Sequence, residues 1–249
     1  MNPKYIDTRP QEIRRGLALT APLFGILDPS IYDIPRVDDK NETREYNLQA
    51  LSKWWGITEK SKLVAMIQRL TVGDAHGYCI DHLFKMRACL TPTEWKQKLE
   101  TTEDSNKLNE LHFINLVWQG VGAPQLLAWD VARGAMLVRT GYMGDLLNKE
   151  EALFLWRDIA CQTQHAFSNW QQYFNSFQCG SNWYSHGDNE EDNRGLLNHN
   201  EHWFKEDTRH CYAQKLQAFI KEIPWSMHIK NIPMPESLTP FLNANSIAE

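Results

Sequence analysis

From Ala152 onward the apolar or small positions fall at Ala152, Trp156, Ile159, Thr163, Ala166, Trp170, Tyr173 and Phe177. The intervals alternate between four and three residues, the repeat of one face of an α-helix packed against a partner. This seam predicts one long helix, opened by Asn148 as cap with Glu151 reaching back, running to about Phe177 and ended by Gly180. At about 28 residues it would measure roughly 40 Å. A second apolar helix is expected over 125–142, after the break at Gly122-Ala123-Pro124, and it carries Asp130 and Arg133 three positions apart.

The same periodicity organises the rest. A helix over 13–27, bent near Pro22 and Gly25, leads into a loop over 28–41 and then a helix over 43–55 that stops at Gly56. Thr58 caps a helix ending near Gly73, and 78–90 has helical spacing at Ile80, Leu83, Phe84 and Arg87. Thr91-Pro92-Thr93-Glu94 is a capping box with proline at the first helical position. After a polar break at 101–105 the pattern resumes over 108–121. Beyond Gly180 comes an acidic, turn-prone loop over 186–193, then a last helix over 201–221; Pro224, Pro233, Pro235 and Pro240 make the tail irregular. No β alternation is found. The expectation is an all-α protein, a single multi-helix domain of roughly eight to ten helices around two long antiparallel central helices. It divides into a 1–42 helical or irregular segment, a 43–235 core and a 236–249 tail, with a weak division at 101–105.

A hydrophobic content of 42 % and ten Trp place the chain among globular proteins. The net charge of −5 argues against broad nucleic-acid binding, which needs Lys and Arg to neutralise phosphates. No run approaches the roughly 20 apolar residues of a membrane span, so no membrane association is expected. Five scattered cysteines (Cys79, Cys89, Cys161, Cys179 and Cys211) with no paired-thiol motif read as free thiols in a reducing, cytoplasmic setting.

The residues Trp129-Asp130-x-x-Arg133, Arg139-x-Gly141-Tyr142, Glu150-Glu151-Ala152, Gln164-x-x-Phe167-x-x-Trp170 and Gly180-x-x-Trp183 occur in that order. Together with Trp54-x-Gly56-Ile57-Thr58 upstream and Pro224-Trp225-Ser226 downstream, they resemble a bacterial family of helical proteins, domain of unknown function 1266. The likeness covers roughly 45–235. Within it the stretch 185–219 is longer and more acidic than the family pattern. The resemblance implies an all-helical fold and no established activity. Members sometimes sit among genes of toxin–immunity systems.

Asp130 and Arg133 are neighbours on a helix surface and form a charge-assisted pair, with Arg139 or Gln164 as candidate third members. Trp129, Asp130, Arg133, Arg139, Tyr142, Glu151, Gln164, Phe167 and Trp170 are therefore read as architecture. The rival reading makes Asp130 and Arg133 the centre of an enzyme in an interhelical cleft. His199 and His202, with His186, Asp188, His210 and Cys211 nearby, offer metal-ligand types, but neither these nor His76 and His82 have the spacing of a zinc hydrolase, so no metal or cofactor is expected. No phosphate loop or nucleophile elbow occurs. Asp188, Glu190, Glu191 and Asp192, flanked by Trp183, Tyr184, Trp203 and Phe204, combine charge with aromatic borders as protein interfaces do. The sequence thus points to a non-enzymatic protein-binding module, in its sharpest form an immunity protein that occludes a basic toxin domain.

Overall fold

The computed structural model describes residues 11–24, 40–186, 196 and 223–242. Among these residues the regular structure is helical, with no strand. The acidic run Asp188–Asp192, His199, His202, His210, Cys211, Trp203, Phe204 and the expected helix at 201–221 lie outside them.

Short helices α1 (Gln11–Ala18) and α2 (Ala21–Phe24) are followed by α3 (Lys40–Trp55), α4 (Lys60–Thr71), α5 (Asp81–Cys89), α6 (Pro92–Thr101) and α7 (Ser105–Gly120). Then come α8 (Leu127–Met143), α9 (Lys149–Ala166) and α10 (Trp170–His186), with a 3-10 turn at Glu236–Leu238 and α11 (Thr239–Leu242) near the end. No described helix is long and apolar enough to cross a membrane.

Local chemistry sets most of these boundaries. At α6 the Thr91 hydroxyl accepts from the Glu94 N–H and the Glu94 carboxylate accepts from the Thr91 N–H, a reciprocal capping box. Asn148 and Glu151 do the same at α9. The break at 101–105 is capped by Asp104, whose Oδ1 accepts from the Asn106 and Lys107 N–H groups.

The expected long helix divides in two. Phe167 closes the last turn of α9, and Asn169 starts α10 by accepting the Gln172 N–H at 2.8 Å while Gln172 Oε1 takes the Ser168 N–H at 2.7 Å. These side chains offer the backbone partners that a continuous helix would otherwise supply, so the chain turns there. The seam survives: Trp156, Ile159, Thr163, Trp170, Tyr173 and Phe177 are all buried. Gly180 does not end the helix but lies within α10, where a Cβ would fall 2.3 Å from Trp129 Cβ. Its missing side chain allows close packing.

The chain forms two compact units, the first from described residues of Met1–Ile67, Ala135–Gln162 and Met227–Glu249, the second from those of Gln68–Gly134 and Thr163–Ser226. The 101–105 break lies inside the second. The first unit buries Leu51, Leu63, Trp156 and Ile159; Glu151, fully buried there, holds Lys60 Nζ at 2.7 Å. Burial is the largest influence on this carboxyl and pushes it up, but bonds from Lys60, Asn148 and Ser237 outweigh it and leave it below its ordinary value. The second unit's core gathers Leu83 and Phe84 of α5, Trp95 of α6, Phe113, Ile114 and Val117 of α7, and Cys179 and Trp183 of α10. Burial pushes the Cys179 thiol up to about 12.

Candidate functional site

The second unit carries the buried ion pair. Asp130 lies in the first turn of α8, where the helix dipole favours an anion. Its carboxylate has no solvent exposure. Oδ2 accepts the backbone N–H groups of His76 and Gly77, each at 2.7 Å, and Oδ1 takes Arg133 Nη2. The turn after α4 approaches this closely because of two glycines. Gly73 adopts φ +77°, and a Cβ on Gly77 would fall 2.7 Å from Gly73 Cα and 3.2 Å from Leu127 Cα. Gly77 O in return accepts the Leu126 N–H at 3.1 Å, tying the turn to the start of α8.

His76 therefore joins the pair, for which the sequence offered Arg139 or Gln164 as candidate third members. Arg133 Nη2 lies 2.9 Å from His76 Nδ1. A guanidinium only donates, so Nδ1 accepts and the imidazole hydrogen sits on Nε2. The 3.6 Å between Nδ1 and Asp130 Oδ1 is then a contact of a neutral ring, not an ion pair. Burial pulls the Arg133 pKa down and Asp130 opposes it; the guanidinium stays charged at neutral pH.

The other side of Arg133 is aromatic. Its Cζ lies 4.9 Å from the Trp129 ring centre and 5.9 Å from that of Tyr184. Trp129 also packs on Phe177 and Tyr184, and the edge of His76 meets Tyr184 at 5.3 Å. Of this cluster, Tyr184 is 54 % exposed and the His76 side chain 27 %, while Asp130 is sealed. Trp183, expected on a partner surface, is only 9 % exposed and packs on Phe113 in the core, so Tyr184 alone of that pair faces outward.

Other motif residues form a second cluster in this unit. Gln164 Nε2 donates to Trp225 O, Trp170 Nε1 to Ile223 O and Trp225 Nε1 to Phe167 O, at 2.8, 2.7 and 2.9 Å. Phe167, Trp170, Tyr173 and Trp225 pack edge-to-face or tilted around these bonds. They fasten the 223–225 segment across the junction of α9 and α10, a structural role. Arg139 and Tyr142, both half-buried, lie in the part of α8 that belongs to the first unit. Among the described residues no group of three or more His, Cys, Asp or Glu side chains has an arrangement that could hold a metal.

Sequence reasoning missed His76 because its bond to Asp130 spans 54 positions. The only local trace is the pair Gly73 and Gly77 bracketing it, a sign of close backbone approach.

Two proteins of Escherichia coli (strain K12) are similar to this chain: Uncharacterized protein YbeU, 27 % identical over 130 residues, and Uncharacterized protein YbeR, 26 % identical over 130 residues. Each alignment covers 52 % of this chain and 54 % of the relative, so the chain spans about half the length of the curated relatives it matches. No solved structure matches it. Residues 50–225, well over half of the chain and including both clusters, match the profile described as Protein of unknown function (DUF1266). The chain belongs to the DUF1266 family.

Proposed function

We propose that the protein is a non-enzymatic protein-binding module whose recognition surface centres on Tyr184. The observation that carries this reading is the contrast within one cluster: Asp130 is enclosed and its oxygens are occupied, whereas the tyrosine stacked beside its arginine is 54 % exposed. A carboxylate so held has no open face for a substrate, which speaks against an enzyme built on Asp130 and Arg133. Tyrosine, tryptophan and arginine fixed against one another are the side chains that dominate binding energy at protein interfaces. The net charge of −5, and the acidic run that starts two residues after α10 in the sequence, favour a basic partner. The narrowest form of the reading is an immunity protein that occludes a bacterial toxin.

Calorimetric titration with the product of the neighbouring gene tests it. Wild type should bind with a Kd of about 1 μM or tighter, and Tyr184→Ala should weaken binding at least tenfold while leaving the fold intact. Replacing Asp188, Glu190, Glu191 and Asp192 by Lys should slow association. No heat of binding with wild type counts against the proposal, and unchanged affinity in both variants removes this surface from it.

A further inference from the structure

The ring of His76 stands where a single proton changes the balance of the buried cluster. While the ring is neutral its Nδ1 accepts Arg133 Nη2 at 2.9 Å, and Asp130 Oδ1 lies 3.6 Å from the same nitrogen. The His76 side chain is 27 % exposed, so protons reach it from solvent, whereas the Asp130 carboxylate is sealed. Among the described residues, the charged and titratable groups that face the ring come from two helices: Asp130 and Arg133 of α8 and Tyr184 of α10. Its own turn adds Asp74, paired with Arg69 at 3.3 Å. Among these types of side chain, imidazole is the one that changes charge unaided between about pH 5 and 8.

Protonation of Nδ1 turns an acceptor into a donor. Arg133 Nη2–H then meets another N–H, and two cations stand where there was one. Asp130 has one oxygen left for both, because Oδ2 is already taken by the His76 and Gly77 backbone N–H groups. That oxygen, Oδ1, is within reach of the imidazolium and carries Arg133 in the neutral state. The guanidinium is the partner that gives way. His76 is tied at its backbone, whereas the charge of Arg133 ends a long side chain with several rotatable bonds. Its Cζ lies 4.9 Å from the Trp129 ring centre and 5.9 Å from that of Tyr184, so a movement of Arg133 reaches both rings. The His76 ring also meets Tyr184 directly.

We propose that His76 is a proton switch for the Tyr184 surface. As a neutral ring it holds Arg133 and the aromatic face in place; as an imidazolium it takes Asp130 Oδ1 and displaces them. As regulation of recognition the inference rests on the reading of Tyr184 given above. The switch itself belongs to this chain alone and is tested without a partner. A missing partner therefore leaves the switch standing, and a missing switch leaves the surface standing.

The test is NMR of the whole protein between about pH 8 and about pH 5. Long-range ¹H–¹⁵N correlation of the histidine rings identifies His76 by the signals that His76→Asn removes. The expected result has three parts: the Nε2–H tautomer at the upper end, one titration of Nδ1 within the range, and movement of the Tyr184 ring and Trp129 indole signals with the same midpoint. Helical circular dichroism should stay constant throughout. In His76→Asn the side-chain oxygen accepts from Arg133 at every pH, so the Tyr184 movement should vanish. In His186→Gln, which removes the histidine two positions past Tyr184, it should persist. A His76 ring that stays neutral to about pH 5, or an Nδ1–H tautomer at about pH 8, overturns the proposal. So do Tyr184 signals that ignore the His76 titration, a Tyr184 transition retained in His76→Asn or lost in His186→Gln, and unfolding over the same range.

Discussion

Replacing Asp130 by Asn keeps the size of the side chain and removes its charge, so the effect isolates the ion pair. The amide oxygen can retain the two backbone N–H groups of His76 and Gly77, both 2.7 Å from Oδ2 in the wild type. Its NH₂ then faces Arg133 Nη2, donor against donor. Turning the amide over moves the same conflict to the backbone pair. Either way Arg133, only 9 % exposed, keeps a buried cation with no carboxylate beside it. Breaking a buried pair on one side costs about 3–5 kcal/mol. With an m-value of about 3 kcal/mol/M, the urea midpoint should fall by about 1–1.7 M with unchanged slope. Arg133→Met in the same background removes the stranded cation, so the double variant should be about 1–3 kcal/mol more stable than the sum of the single effects implies. His76→Ala keeps the backbone N–H that serves Asp130 and should cost less than half as much as Asp130→Asn. A midpoint shift below about 0.3 M for Asp130→Asn would refute the view that this pair holds the turn to α8.

Gly180→Ala should destabilise by about 1–3 kcal/mol although alanine is the better helix former, because its Cβ would fall 2.3 Å from Trp129 Cβ, an atom that cannot swing away. Gly141→Ala meets the mobile tip of Leu63 at a similar distance and should stay within about 1 kcal/mol of wild type; thermal melts of both variants check the contrast. The folded-state pKa of Glu151 is depressed, so its bonds stabilise the protein above the unfolded carboxyl value of 4.5, and that contribution is lost as pH falls through the lower folded value. Glu151→Gln should therefore be less stable than wild type at neutral pH, by about 1–2 kcal/mol, and the gap in denaturation midpoints should close below pH 4.5. Mass-mapped alkylation of the native protein should modify the exposed Cys79 and Cys89 rapidly and spare Cys179 until the chain unfolds. Asn169→Ala removes the cap of α10 and should cost about 1 kcal/mol in the same melts.

What could be read from the sequence was whatever rests on residues three or four apart. The caps of α6 and α9 form between Thr91 and Glu94 and between Asn148 and Glu151, and both form as their spacing predicts. The break at Ser168 and Asn169 escaped the same reasoning because the apolar intervals of four and three run on from Ala166 to Trp170 and Tyr173. A seam that continues past a turn hides the turn. Trp183 and Tyr184 are equally aromatic, and composition gave both to the surface. One residue is about 100° of helix rotation, and it takes Trp183 onto Phe113 while Tyr184 stays outside. The contribution of His76 depends on two glycines letting distant backbone approach, which no periodicity encodes.

The buried pair and the exposed tyrosine are joined through one side chain. Arg133 places its donors on Asp130 and His76, and turns its plane toward Trp129 and Tyr184. A guanidinium held at its nitrogens has little freedom left to rotate, so the rings against it are held too. An aromatic side chain fixed before a partner arrives loses less entropy on binding than a mobile one. On the proposed reading the sealed carboxylate serves recognition without touching a partner: it sets Arg133, and Arg133 sets the face that Tyr184 presents. It also separates the roles: Tyr184→Ala removes contact area alone, whereas Asp130→Asn loosens the turn, the arginine and the tyrosine together.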